Sequence, residues 1–165
     1  MIAPPDEKAD AGGSSQLRIP EELLANTAFL LARLGFACKG RAVEEFEEAG
    51  FNPYSYSILA LLNEGERETQ ATIADALGID RSQLVGILDG LEEGGLIERN
   101  RDPHDRRRHI VGLTAAGRRQ LAEFRAIVQR VNDEVLEPLD PTGRETLHGL
   151  LLQLAGHHDP RFLRS

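Results

Sequence analysis

The junction between Leu77 and Arg81 constrains this chain more than any other stretch. Thr69 is placed to cap a short helix over Gln70–Leu77, and Gly78 to end it. Asp80 is placed to cap the next helix, Arg81–Glu93, which Gly94-Gly95 closes. Two short helices separated by Gly78-Ile79-Asp80 make a helix-turn-helix pattern. The period then changes. Leu96-Ile97-Glu98-Arg99 and His109-Ile110-Val111-Gly112-Leu113 read as short strands around a polar tip, residues 100–108, with Pro103 at the turn.

A β-hairpin directly behind a helix-turn-helix is a winged helix, so the expected fold is mainly α with a small β-hairpin wing. The flanks read as helical. Pro20, Glu21 and Glu22 suit a first turn. Leu23, Thr27, Leu30, Leu34 and Ala37 then recur at spacings of three and four, which predicts one helix to about Ala49, stopped by Gly50. Asn52-Pro53 starts a second helix through Ile58, Leu61 and Leu62. Thr114 opens a long helix whose Leu121, Phe124, Val128, Val131 and Val135 hold a heptad-like seam, ended by Pro138. Asp140-Pro141-Thr142 starts a last helix with Leu147, Leu150, Leu151 and Leu154 on one face. The terminal helices carry more apolar stripe than the middle module can cover, so they are expected to pack together and against a second subunit. The expected organisation is a mobile N-terminal arm at 1–18, a helical dimerisation region at 19–50 and 118–158, and a winged helix-turn-helix at 51–117.

Charge at first opposes a nucleic-acid role: 19 Lys and Arg against 27 Asp and Glu leave −8. The distribution is uneven. Residues 99–119 hold seven Arg and two Asp, a local sum of +5, whereas residues 21–66 hold eight Glu against Arg33, Lys39 and Arg41, a local sum of −5. A chain so polarised carries a basic edge despite its acidic mean. One Cys excludes an intramolecular disulfide and a thiolate zinc site. His157-His158-Asp159 offers no recognisable third metal ligand. The expectation is no metal or other cofactor. With no Trp and two Tyr, stacking on single strands lacks its platforms. The first residues lack a signal-peptide pattern, and the best apolar stretch is too short to span a bilayer, so a cytoplasmic protein without membrane association is expected. No nucleophile elbow, phosphate loop or paired-carboxylate site is recognisable, and no enzyme activity is expected.

The chemistry available is that of duplex recognition. A helix lying in the major groove reaches base edges with its first residues. Here these are Arg81, Ser82 and Gln83; Arg pairs bidentately with guanine and Gln with adenine. By itself Asp80-Arg81-Ser82-Gln83 would be no more than a capped helix start. The basic hairpin behind it decides otherwise. Arg99, Arg101, Arg106, Arg107 and Arg108 would gain free energy by neutralising phosphate, and a slender tip can place Arg in the minor groove. Asp105 is expected to pair with a neighbouring Arg and orient it. Thr69 and Gln70 complete the candidate contacts.

Asp80-Arg81-Ser82-Gln83-Leu84, Leu91-Glu92-Glu93-Gly94-Gly95-Leu96-Ile97-Glu98-Arg99, Asp102-Pro103-His104-Asp105-Arg106-Arg107-Arg108 and Val111-Gly112-Leu113-Thr114-Ala115-Ala116-Gly117 fall in sequence at matching separations. Over these residues the chain resembles the MarR (multiple antibiotic resistance regulator) family. The resemblance implies a homodimeric transcription regulator, often a repressor, that docks two winged helices on a pseudo-palindromic operator. It places Arg81, Ser82, Gln83, Val85 and Gly86 toward the major groove, with Asp105 and Arg107 in the wing. Val85-Gly86 departs from the family pattern, in which a polar residue followed by Arg is common, and Gly90 also stands where Arg is common. Direct readout therefore leans on Arg81, Gln83 and the wing.

The resemblance also implies an effector pocket between the dimer helices and the winged helix, for a small aromatic or anionic compound. Phe36, Cys38, Arg41, Tyr54, Tyr56 and Phe124 are its candidates here; ordinary core packing is the competing reading. Cys38 lies on the first helix, and a thiol-based redox-sensing repressor using it is one alternative. A winged-helix module that binds protein rather than DNA is the other.

Overall fold

The computed structural model describes residues 18–65, 68–105 and 109–162. The expected mobile arm lies, but for Arg18, outside the described residues. The chain divides into two units, Met1–Phe36 and Ala37–Ser165, with the boundary inside a helix.

The first unit holds α1, Glu21–Leu24, and the start of α2, Thr27–Glu48. One uninterrupted helix was expected here, and the structure corrects that. Asn26 breaks it: its side-chain oxygen accepts the Phe29 N–H at 3.1 Å, so the residue acts as a new N-cap. Leu23, Leu24, Leu30, Leu31, Leu34 and Phe36 are exposed.

The second unit contains the rest of α2, then α3 (Tyr54–Glu64), α4 (Gln70–Leu77) and α5 (Arg81–Glu93). The hairpin β1 (Ile97–Arg101) and β2 (His109–Leu113) follows, then α6 (Ala115–Val135), α7 (Pro141–His158) and a 3-10 turn at Pro160–Phe162. The caps explain α4 and α5. Thr69 and Thr72 satisfy each other's backbone N–H across the first turn of α4. Gly78 ends α4 at φ 63°, a left-handed conformation that favours glycine. Asp80 accepts from the backbone N–H groups of Ser82 and Gln83 and from the Ser82 hydroxyl.

The strands pair antiparallel from Ile97 opposite Leu113 to Arg101 opposite His109. β1 starts one residue later than expected and ends two later. Leu96 is held outside the ladder, its N–H on the Leu91 carbonyl at 2.9 Å and its own carbonyl accepting from Thr114 N–H at 3.1 Å. The hairpin is tied to the helix-turn-helix as well, because Val111 N–H donates to the Glu68 carbonyl at 2.7 Å. Ile58, Leu59, Ile73, Leu84, Leu88 and Val111 form the core beneath, with Leu121 and Phe124 of α6 against it. Removal of this apolar surface from water is the main force holding α4, α5 and the hairpin in one frame.

Candidate nucleic-acid interface

α5 is split lengthwise by its sequence. Leu84, Ile87, Leu88 and Leu91 are buried, at the three-and-four spacing of one helix face. Arg81, Ser82, Gln83, Val85 and Gly86 are exposed together on its N-terminal half. Arg81 has its side chain 74% exposed, with the Asp75 carboxylate at 3.9 Å. Gln70 is exposed at the start of α4. Thr69 is buried and used as a cap, with its side chain turned to Thr72.

The Asp80 carboxyl is held below its ordinary value, first by the Ser82 hydroxyl and then by the two backbone N–H groups it caps. The start of α5 is thereby fixed by an ionised cap while Arg81 and Gln83 remain available.

The hairpin treats its arginines unequally. Arg99 is expected among the phosphate-seeking residues, but its guanidinium is folded back onto α5. Nη1 lies 2.7 Å from Asp89 and 2.8 Å from Glu92, and the Arg99 backbone N–H donates to Glu92 at 3.2 Å. It braces the root of β1. Arg101 is exposed at the outer end of the strand. Asp102 is buried and accepts the His104 N–H at 2.8 Å, which shapes the turn after β1. Asp105 is exposed. Arg106, Arg107 and Arg108 lie outside the described residues, and with them the expected pairing to Asp105.

The expected effector residues of the second unit fall into different surroundings, although Tyr56 and Phe124 share Phe46 as a neighbour. Phe124 is fully buried, its ring 5.1 Å from Phe46 and 4.8 Å from Phe51 in edge-on contacts. Tyr56 packs on Phe46, and Tyr54 is partly exposed at the start of α3. Arg41 joins α2 to α6 by Glu134 at 2.9 Å and holds Glu44 at 2.7 Å; these carboxylates raise its pKa further. Phe36 is 76% exposed in the other unit. Cys38 lines a cavity. That space, about 440 Å³, lies between α2, α6 and α7. Val128, Val131, Val135 and Leu151 make it apolar, with Lys39 and Arg144 as its cationic groups and the His148 imidazole beside them. The heptad seam of α6 marked its valines in advance. The cations carried no periodic signal, since they come from two helices far apart in sequence.

Among the described residues no group of three or more His, Cys, Asp or Glu side chains is placed to hold a metal ion. None of the described helices is long and apolar enough to cross a membrane.

Residues 49–108 match the family model described as MarR family. A Thauera aromatica protein assigned as transcriptional regulator of the hcr operon is 35% identical over 105 residues, 64% of this chain and 63% of its own length. The chain thus spans less than two thirds of that relative. A MarR-family regulator from Rhodococcus sp. RHA1 superposes with a TM-score of 0.69 at 31% identity, over 81% of this chain and 94% of the other. CouR from Rhodococcus jostii RHA1, bound to p-coumaroyl-CoA, gives 0.69 at 32%, over 86% and 98%. The repressor CouR on a 23-mer DNA duplex gives 0.71 at 34%, over 81% and 95%. The matched helix-turn-helix, the hairpin that follows it and these likenesses over four fifths of the chain agree, and the chain belongs to the MarR family of transcriptional regulators.

Proposed function

We propose that this protein is a homodimeric, sequence-specific DNA-binding repressor released by a small-molecule effector, acting in the cytoplasm where its operator is. Its function is binding rather than catalysis. The observation that carries the reading is the exposed start of α5. Arg81, Ser82 and Gln83 project from a helix whose other face is locked into the core, behind a cap that keeps Asp80 ionised. This is the geometry a reading helix needs in the major groove. The arginines at 106–108 supply the phosphate term, and residues 51–117 form the DNA-binding module. That CouR is found on a DNA duplex supports the assignment.

The dimer rests on α7. Leu150, Leu151, Leu152 and Leu154 are all exposed, and at about 100° per residue they point to more than one side of the helix. A soluble surface rarely leaves such a cluster bare. Residues 19–50 and 118–158 are the proposed dimerisation region. The effector site is the α2–α6–α7 cavity, whose valine walls suit an apolar body and whose Lys39 and His148 suit an anionic head. Ligand-bound CouR supports an effector in principle.

Fluorescence anisotropy on the duplex upstream of the protein's own gene tests this, with half-sites ~34 Å apart. Binding should weaken steeply with salt. Arg107→Ala should weaken it on all sequences, and Gln83→Ala should relax preference at particular bases. Binding indifferent to salt and to both substitutions refutes the proposal and leaves the protein-interaction alternative.

A further inference from the structure

The last described element reaches back to the helix-turn-helix. Asp159 ends α7, and its carboxylate takes the Arg161 guanidinium on both oxygens, Nε at 3.0 and 2.9 Å and Nη2 at 2.6 Å. It also accepts the Arg161 backbone N–H at 3.0 Å. Nη1 is left to face away from Asp159. It donates to the carbonyls of Asp75 at 2.7 Å and Ala76 at 3.2 Å. These belong to the last turn of α4, where helical N–H partners have run out and the negative end of the dipole favours a cation. α4 has no basic residue of its own in that turn. The cation is supplied from 86 residues further along the chain.

Asp75 is the meeting point. Its carbonyl is held by Arg161, and its carboxylate lies 3.9 Å from Arg81 Nη2 at the start of α5. An exposed ion pair adds little stability. A bidentate one still fixes direction, because both oxygens and two nitrogens of the fork are committed.

We propose that Asp159 and Arg161 are positioning residues. They form a strap from the end of α7 to α4 that, through Asp75, sets where Arg81 stands when the protein meets its operator. This rests on the DNA-binding reading above. The strap begins on the helix that carries the uncovered leucines, so a subunit docked on α7 has a direct route to the reading helix.

Two measurements on the full chain test the strap. In hydrogen exchange, Arg161→Ala should speed exchange of the amides at 77–82 severalfold and leave the hairpin unchanged. In anisotropy, the ratio of operator to random-duplex affinity should fall about fivefold, a modest coupling between sites, with the thermal midpoint unmoved. Arg161→Lys keeps the charge without the fork and should restore part of the ratio. Asp159→Asn should lower the ratio too, although loss of an acid by itself tightens binding to any DNA. Unchanged exchange at 77–82 in both variants overturns the strap, and so does an equal loss on operator and random duplex. A wild-type protein that binds no DNA refutes the functional reading instead, and the exchange result still decides the strap.

Discussion

Gly117→Ala should unfold this protein more readily than any other single methyl addition on α6. A Cβ at Gly117 would lie 2.0 Å from the Leu96 carbonyl oxygen, 2.6 Å from Leu113 Cδ1 and 3.0 Å from the Leu96 carbonyl carbon. The Leu113 methyl can turn away. The carbonyl cannot, because it accepts from Thr114 N–H at 3.1 Å and from the Thr114 hydroxyl at 3.0 Å, and Ile97 begins the strand behind it. α6 must therefore lift from the root of the hairpin. Overpacking against fixed atoms costs about 3 kcal/mol, and one lost Thr114 hydrogen bond about 1 kcal/mol. Alanine's better helix propensity returns about 1 kcal/mol. The net loss of about 3 kcal/mol corresponds to roughly 6–12 °C in midpoint for a chain of this size. Gly90→Ala is the matched control: its Cβ would meet nothing within 4 Å, so the propensity gain of about 1 kcal/mol should appear alone. Thermal and urea unfolding at equal protein concentration measure both, since on the dimer proposed above the midpoint shifts with concentration. A Gly117→Ala protein within 0.5 kcal/mol of wild type, on the order of ordinary surface substitutions, would refute the reasoning.

Phe124→Ala removes a fully buried ring that contacts Phe46 and Phe51, and should cost about 3–5 kcal/mol in urea unfolding. The Asp80 cap gives a pH dependence of definite sign. Its folded pKa is below the ordinary 3.8, so its contribution is present in full above that value and is lost as pH falls through the folded one. Asp80→Asn keeps a capping oxygen that does not titrate, and the acid limb of its stability curve below pH ~4 should be flatter than that of wild type.

Caps are local, and that is why α4 and α5 were legible to the residue. Thr69, Gly78 and Asp80 act within three positions of the backbone they satisfy. Asn26 acts just as locally, yet the apolar spacing ran through it from Leu23 to Leu30 and hid the break. The rest depended on chain reversals that no spacing encodes. Arg99 meets Asp89 and Glu92 because the chain doubles back at Gly94-Gly95. Gly117 looked like one small residue in a helix start, and only the approach of Leu96 shows why a side chain is excluded there. For the effector residues, side-chain type alone points to the aromatic candidates. Burial assigns Phe124 to the core, and the cavity takes its cations, Lys39 and Arg144, from α2 and α7.

Arg99 also changes how the charge balance should be read. Counted by sequence, it is one of the arginines that make residues 99–119 basic. In space its single positive charge stands between two carboxylates of α5, Asp89 and Glu92. A helix entering a groove between phosphate strands gains nothing from bare carboxylates on its flank; each would repel the backbone it approaches. On the function proposed above, Arg99 works by removing that repulsion, and its side chain, 20% exposed, has little reach left for a phosphate. The same accounting applies to the acidic half. Arg41 holds Glu44 and Glu134, and Arg130 holds Glu45, so several of the acids on α2 and α6 are compensated inside the protein. On the same proposed function, the cations that α5 and the hairpin turn outward, Arg81 beside the exposed Asp75 and Arg101 at the outer end of the strand, are the described charges left to meet DNA.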